Sequence, residues 1–273
     1  MAELPEVEVV KQYLDATSLH QKIAGVEVSD ERIMKGMDGR KFSALLKGDS
    51  LEKTLRHGNL LFVGTGQGLW MAWRLGAAGA GAVRYSGKTR KNREFERMAI
   101  QFSNGSRLSY NSTRMAGQIE KVHDPWRYIR ENGLGPDALS PELTPERTRE
   151  LLAGKRARAK AALMNQKVIA GIGNAYSDEI LFQAGIHPET DFQALPESGF
   201  GQLHDRMKGV LTKAVALRAD PARMPAGWLI PHREAGAVCP GGCPDRIERT
   251  QVSGKSAYFC PSCQVPPTRE DPT

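Results

Sequence analysis

The stretch Ile169-Ala-Gly-Ile-Gly-Asn174 lies between two segments whose apolar residues have helical spacing. Two glycines in six residues make a continuous helix costly here, because glycine gives up the most backbone freedom on folding. The flanking spacing predicts helices over residues 158–166 and 175–184. A tight glycine turn that opens a helix exposes backbone N–H groups suited to a nucleic-acid phosphate. The stretch therefore predicts two helices joined by a phosphate-binding turn.

The part of the chain before this turn is predicted to be a β domain. A first helix is expected after Leu4-Pro5, since proline is tolerated in a first helical turn. From about residue 23 to residue 119, short apolar runs alternate with turns. One of these turns contains Asn104-Gly105, a strong hairpin signal.

Helical spacing returns after Trp126. It predicts a helix that reaches Leu152 and another over residues 200–217. Residues 220–231 contain three prolines and are predicted to be a linker into the cysteine-containing segment. The polar, proline-rich end of the chain, residues 265–273, is predicted to be disordered.

All four cysteines lie in one short window, with the pattern Cys239-x3-Cys243-x16-Cys260-x2-Cys263. Two close pairs at opposite ends of a hairpin-length insert allow four thiolates to converge on one zinc ion. Free thiols and disulfides are the weaker alternatives, because a disulfide framework normally spreads its cysteines along a small secreted chain. Four protein ligands leave no open coordination position, so one structural Zn²⁺ in a β-hairpin is expected.

Charge and hydropathy exclude several classes of protein. Lys and Arg number 38 against 31 Asp and Glu, a formal net charge of +7 that favours polyanionic partners. No apolar run reaches the length of a membrane helix, and the first residues lack the order of a signal peptide. We expect a soluble, cytoplasmic protein that is a monomer and has no membrane partner.

The stretch Ser86-Gly87-Lys88-Thr89 looks like the end of a phosphate-binding loop. It lacks the first glycine of that motif, whose place is taken by Ala82. No nucleotide cofactor is therefore expected. Of the two basic stretches, residues 84–97 and 155–160, each could be a solvated face, but the second leads into the glycine turn and favours phosphate binding.

Three motifs together resemble the formamidopyrimidine-DNA glycosylase and endonuclease VIII family, in the right order and over almost the whole chain. They are Glu3-Leu-Pro-Glu-Val-Glu8, Ala170-Gly-Ile-Gly-Asn174-Ala-Tyr-Ser-Asp-Glu179 and Cys260-Pro-Ser-Cys263-Gln264. The resemblance implies a multidomain α+β fold with a flanked N-terminal β-sandwich (1–130), a helix-two turns-helix domain (131–230) and a zinc finger (231–264). It also implies damaged DNA as partner, with the damaged nucleotide flipped out of the base stack.

The catalytic residues that the resemblance implies are Ala2 and Glu3. The family uses the amine of an N-terminal proline to attack the sugar C1′, and Ala2 takes that position once Met1 is removed. An α-amine titrates near pH 8, so a fraction of it is neutral and nucleophilic at pH 7. Glu3 matches the acid that protonates the sugar ring oxygen, although an acid here would also suit the start of a helix.

Several positions depart from the family pattern. Asn59 replaces a lysine that binds phosphate and assists elimination, and Lys255 replaces the arginine at the tip of the zinc finger. The family fills the gap left by the flipped base with a methionine, an arginine and a phenylalanine. Here the arginine is kept as Arg114, the methionine is replaced by Ala77, and the phenylalanine is absent from Arg114-Met115-Ala116. A weaker wedge favours substrates whose bases are already unstacked.

The remaining DNA contacts implied by the resemblance, or neighbours of such contacts, are Arg156, Lys160, Asn174 and Tyr176. Two hypotheses follow. The first is a divergent DNA glycosylase with abasic-site lyase activity. The second is a protein of the same fold that binds damaged or distorted DNA with little catalysis, and a role in RNA binding or in zinc-ribbon interactions is a minor third.

Overall fold

The computed structural model describes residues 1–76, 82–87, 94–113, 117–154 and 156–265. The chain divides into two compact units, Met1–Gly133 and Leu134–Thr273. Among the described residues, no helix has the length and apolar character needed to cross a lipid bilayer.

The described residues of the first unit form nine strands and three α-helices. In chain order these are α1 (Leu4–Thr17), β1 (Ile23–Val28), β2 (Met34–Lys35), α2 (Gly39–Leu46), β3 (Leu51–His57), β4 (Leu60–Thr65), β5 (Trp70–Arg74), β6 (Val83–Ser86), β7 (Glu96–Phe102), β8 (Arg107–Asn111), β9 (Gln118–Val122) and α3 (Pro125–Glu131).

Two sheets form a β-sandwich, as predicted. One has the strand order β1-β7-β8-β6 and the other the order β2-β9-β5-β4-β3. Buried side chains from both sheets, among them Trp73 and Ile100, join Leu14 of α1 in a single apolar core. Every residue of β4 is buried, which is why Leu60-Leu-Phe-Val63 reads as a continuous apolar run rather than an alternating one.

Two turns in this unit follow from local sequence. Strands β7 and β8 are joined through Asn104-Gly105, where Gly105 has a φ of +85°, so the predicted hairpin is confirmed. Strands β3 and β4 are antiparallel, with His57 opposite Leu60. Their connection is the two-residue turn Gly58-Asn59, and Gly58 has a φ of +57°. This second turn places Asn59 at one end of the five-stranded sheet.

In the second unit, the part of the chain that the structure describes has four α-helices and a two-stranded hairpin. These are α4 (Pro145–Ala153), α5 (Ala159–Met164), α6 (Asn174–Gln183), α7 (Glu197–Ala216), β10 (Glu248–Val252) and β11 (Lys255–Phe259). All four predicted helices are present. The segment predicted over 158–166 ends two residues early, because Asn165 leaves the helical conformation with a ψ of 104°.

The prediction of a linker over residues 220–231 was wrong. Leu229 is completely buried and Trp228 is 9% exposed, and short 3₁₀ turns cover Pro221–Arg223 and Ile230–His232. Leu229 packs with Phe182 of α6 and with the cysteine segment in one apolar cluster. Three prolines made the segment look like a spacer, but its large apolar side chains join helix and cysteine segment into one unit.

The start of α1 gives the first testable prediction. Glu6 is partly buried beside Glu3, and burial first and the Glu3 charge second raise the pKa of Glu6 to about 7. A carboxyl whose folded-state pKa is raised stabilises the fold fully below its ordinary value of 4.5, and this contribution is lost as the pH rises to about 7. We expect the unfolding free energy of the wild type, relative to Glu6→Gln, to fall by about 3 kcal/mol across this window.

Urea denaturation of both proteins at several pH values between 4 and 8 measures this difference. Glu131→Gln is a control, because Glu131 forms an exposed ion pair with Arg127 on α3. A difference between wild type and Glu6→Gln that stays constant with pH would contradict the assignment.

Candidate active site and metal centre

The N-terminus is anchored at the end of strand β5. The Ala2 nitrogen donates a hydrogen bond to the Leu75 carbonyl over 3.2 Å, and Ala2 is only 4% exposed, whereas Met1 is 64% exposed. The next residue, Gly76, donates through its N–H to the Tyr110 hydroxyl over 3.1 Å. The segment that follows β5 is thus hydrogen-bonded both to Tyr110 of β8 and to Ala2.

Glu3 and Glu6 form a reciprocal cap at the start of α1. The Glu6 carboxylate accepts a hydrogen bond from the Glu3 nitrogen at 2.9 Å, and the Glu3 carboxylate accepts one from the Glu6 nitrogen. Such a box satisfies two of the N–H groups that a helix start leaves without intrahelical partners. It also fixes Glu3 directly after Ala2, so the predicted acid and the predicted nucleophile lie at one anchored point.

Asn59, which stands where the resemblance expects a lysine, lies next to the N-terminus. Its Nδ2 atom donates to the Met1 sulfur over 3.3 Å. The pairing of Leu60 with Arg74 brings the Gly58-Asn59 turn beside the end of β5, where Ala2 is anchored. A side chain at position 59 is therefore within reach of chemistry at the amine of residue 2.

Some predicted features lie outside the described residues. They are the wedge positions Ala77, Arg114 and Met115, the central part of the first basic stretch from Lys88 to Arg93, Lys155 and the tail from residue 266.

Gln166 holds the glycine turn of the second unit. Its Nε2 atom donates to the Ile172 carbonyl over 2.7 Å and its Oε1 atom accepts from the Gly171 nitrogen at 2.8 Å. Gly171 has a φ of +114°, a conformation that favours glycine. Asn174 follows as the first residue of α6, and its Oδ1 atom is buried with no hydrogen-bond partner among the described residues. The turn is thus rigid and ends in an amide side chain.

Lys160 and Tyr176 are placed inside the unit and not on its surface. Lys160 is 0% exposed and its Nζ atom donates to the Asn174 carbonyl, the Ser177 hydroxyl and Asp178. Tyr176 is 2% exposed. The expectation of DNA contacts at or beside these positions is corrected for the two side chains themselves: both are buried, and the Lys160 ammonium is bound by the backbone and side chains of α6.

Arg156 and Lys255 are exposed, as a phosphate contact requires. Arg156 precedes α5. Lys255 begins β11 directly after the turn Ser253-Gly254, whose two residues have φ values of +49° and +74°. Two consecutive positive φ values are typical of the tight hairpin turn that matches strand twist. Lys255 is therefore presented at the tip of the hairpin.

The four cysteine sulfurs lie within 4.8 Å of one another and can hold one metal ion. The Sγ atoms of Cys239 and Cys263 are 3.7 Å apart, and that of Cys243 is 3.2 Å from Cys260 and 3.6 Å from Cys263. A tetrahedral zinc ion with bonds of about 2.3 Å holds its sulfurs about 3.8 Å apart. The donor set therefore fits a four-thiolate site. Burial, with the neighbouring thiols, raises the pKa of Cys239 to about 11, so a cation has to offset the charge of the bound thiolates.

Two buried acids of α6 were not found by sequence reasoning. Asp178 accepts from Lys160 at 2.6 Å and from Arg233 at 2.8 Å. Glu179 accepts from the Ile230 nitrogen at 2.8 Å, and burial raises its pKa to about 7. The one feature of the sequence that could have indicated them is their position. Two acids directly after the glycine turn of a basic protein suggest that cationic side chains pair with them. The partner Arg233 lies 55 residues away and has no local signal.

Two family models match the chain. The "Formamidopyrimidine-DNA glycosylase N-terminal domain" model matches residues 1–119 and the "Formamidopyrimidine-DNA glycosylase H2TH domain" model matches residues 134–225. A formamidopyrimidine-DNA glycosylase of Chloroflexus aurantiacus is 32% identical over 97% of this chain and 98% of its own length. An Arabidopsis thaliana protein of the same name is 28% identical over 97% of this chain and 71% of its own length.

Solved structures agree with these matches. The Lactococcus lactis enzyme, non-covalently bound to DNA with an AP site, superposes with a TM-score of 0.86 at 26% identity, over 97% of this chain and all of that chain. Its complex with DNA that contains N7-benzyl-Fapy-dG gives a TM-score of 0.87 over 96% of this chain and 99% of that chain. On the strength of both family models and whole-length similarity, the chain belongs to the formamidopyrimidine-DNA glycosylase family.

Proposed function

We propose that this protein is a base-excision-repair DNA glycosylase that also cleaves abasic sites, with the α-amine of Ala2 as nucleophile after removal of Met1. Family membership supports the glycosylase activity. The observation that carries the residue assignment is the anchoring of the Ala2 nitrogen on the Leu75 carbonyl, directly before the capped residue Glu3. A nucleophile has to be held in place to attack one sugar carbon.

The chemistry needs one amine and one acid. The lone pair of the neutral amine forms a bond to C1′, the bond from C1′ to the damaged base breaks, and the base leaves with the electron pair and takes up a proton. Protonation of the sugar ring oxygen by Glu3 opens the ring, and loss of a proton from the nitrogen completes the Schiff base. The capping bond leaves acceptor positions on the Glu3 carboxylate for this proton exchange.

DNA binding is assigned to Arg114, Arg156, Asn174 and Lys255. Arg156 and Lys255 are exposed cations, and the rigid turn before Asn174 suits a backbone phosphate. The four cysteines are assigned to one structural Zn²⁺, because four sulfurs leave no position for substrate. The bound metal supplies folding energy to the segment that carries Lys255.

Metal removal tests the zinc assignment. We expect about one zinc per chain in the purified protein, and we expect chelation to unfold the hairpin and to weaken DNA binding. Metal analysis, hydrogen exchange of residues 236–264 and DNA affinity before and after chelation measure these effects. A hairpin that stays protected after complete loss of metal would contradict the structural role.

Borohydride trapping on abasic-site DNA tests the nucleophile and the acid. Protein whose intact mass shows loss of Met1 should form a covalent adduct with this DNA. On DNA that still carries a damaged base, Glu3→Gln should lower excision of that base by at least about a hundredfold while leaving DNA affinity unchanged. Glu8→Gln makes the same chemical change farther along α1 and serves as the control.

Retention of Met1 or acetylation of the amine should abolish the adduct. Equal turnover by wild type and Glu3→Gln would reject the assignment of the acid. An absent adduct from correctly processed protein that still binds the DNA would favour the second candidate function, a reader of damaged DNA with little or no catalysis.

One observation favours that second candidate: Asn59, beside the N-terminus, carries no charge where the family pattern has a lysine. If the missing cation limits catalysis, Asn59→Lys should raise abasic-site cleavage by roughly tenfold or more. It should also steepen the dependence of log affinity on log salt by about one unit, since one more phosphate is neutralised. Asn59→Gln is the neutral control, and equal cleavage by both variants would mean that the lost lysine is not the limiting factor.

A further inference from the structure

Asp178 is a buried carboxylate held between two cations. Its two oxygens accept from Lys160 Nζ at 2.6 Å and from Arg233 Nε at 2.8 Å. Asp178 and Lys160 have fully buried side chains, and that of Arg233 is 21% exposed. Removing charges from water is expensive, so a buried ion cluster is weak evidence for stability by itself. The other contacts of the cluster indicate what it does.

Both cations also bind the first residue of α6. The Asn174 carbonyl accepts from Lys160 Nζ at 2.9 Å and from Arg233 Nη2 at 3.3 Å. A helix N-terminus carries partial positive charge and disfavours cations, so the Asp178 carboxylate is what stabilises this placement. The residue that ends the glycine turn is thereby fixed from below.

Arg233 reaches the hairpin as well. Its guanidinium lies over the Tyr258 ring of β11, 4.6 Å from the centroid, and its Nη2 atom is 3.5 Å from the Ser256 carbonyl. Ser256 follows Lys255 directly, and its hydroxyl accepts from Arg249 Nη2 at 2.9 Å. A planar guanidinium can stack its face on a ring and donate hydrogen bonds from its edge at the same time, whereas the ammonium of a lysine has donors but no plane to stack.

We propose that Arg233 is a positioning residue that locks the β10–β11 hairpin onto the start of α6, so that Lys255 and Asn174 meet the DNA backbone as one preformed unit. This inference rests on the proposed DNA-binding function. Arg233 itself is directed toward Asp178, Asn174 and Tyr258 and acts on DNA through Lys255. Preorganisation lowers the entropy that binding would otherwise lose in ordering the hairpin tip.

Arg233→Lys distinguishes the positioning role of Arg233 from its role in neutralising Asp178. The variant keeps a cation near Asp178 but loses the planar group that stacks on Tyr258. We expect unchanged zinc content and a melting temperature within about 3 °C of the wild type. Amide hydrogen exchange over residues 248–259, measured by mass spectrometry without DNA, should be about tenfold faster. Arg246→Lys, a conservative change elsewhere in the cysteine segment, should leave it unchanged.

A double-mutant cycle on abasic-site DNA tests the route through Lys255. Arg233→Lys should weaken binding about tenfold in the wild type but less than about twofold in a Lys255→Ala background. Unchanged hairpin exchange, or an equal loss of affinity in both backgrounds, would overturn the proposal. If Arg233→Lys does not fold, Tyr258→Leu should reproduce its effects and Tyr258→Phe should not, and equal behaviour of these two variants would likewise overturn it.

The proposed function and the proposed role of Arg233 can be rejected independently of each other. Wild-type protein that does not bind abasic-site DNA would reject the proposed function, whereas the exchange measurement without DNA would still decide whether Arg233 locks the hairpin.

Discussion

The proposed nucleophile, the Ala2 amine after removal of Met1, depends for its position on the first helix and on the strand beside which it is anchored. In this protein the reciprocal cap between Glu3 and Glu6 fixes the first turn of α1, and the Ala2 nitrogen is tied to the Leu75 carbonyl. Strand β5 is in turn paired on both sides in the five-stranded sheet. The sandwich therefore serves as a rigid support for two residues, and the pKa of Glu6 is raised first by its burial in this first turn and second by the charge of Glu3.

The second unit solves a related problem with buried charge. The turn that ends at Asn174 is largely buried, with Ile169 and Ile172 fully buried, whereas Ser253, Gly254 and Lys255 at the hairpin tip are exposed. Asp178 brings Lys160 and Arg233 under the turn, and Arg233 extends to Tyr258 of the hairpin. The cysteine cluster packs with Phe182 of the same helix. Helix α6 is thus the common support for the turn, the hairpin and the metal centre.

The departures from the family pattern fall on residues that the proposed function places at the DNA or at the reacting sugar, while the supporting geometry is kept. Asn59 stands beside the N-terminus without the charge of a lysine, and Ala2 takes the position of the family's proline. The β-sandwich, the turn closed by Gln166 and the tetrahedral set of sulfurs are all present. A fold can outlast changes in its site, because packing and site chemistry depend on different residues.

The sequence alone determined the four-cysteine cluster, the helices of the second unit and the Asn104-Gly105 hairpin, since each rests on local spacing or on a short motif. The resemblance carried by the sequence motifs added the fold class and the assignment of Ala2 and Glu3. Only the tertiary structure decided that Lys160 and Tyr176 are buried, that residues 220–231 are packed, and that Arg233 joins Asp178 and Tyr258. Burial and ion pairing between residues far apart in the chain depend on how the helices and strands pack together, and no local pattern records that packing.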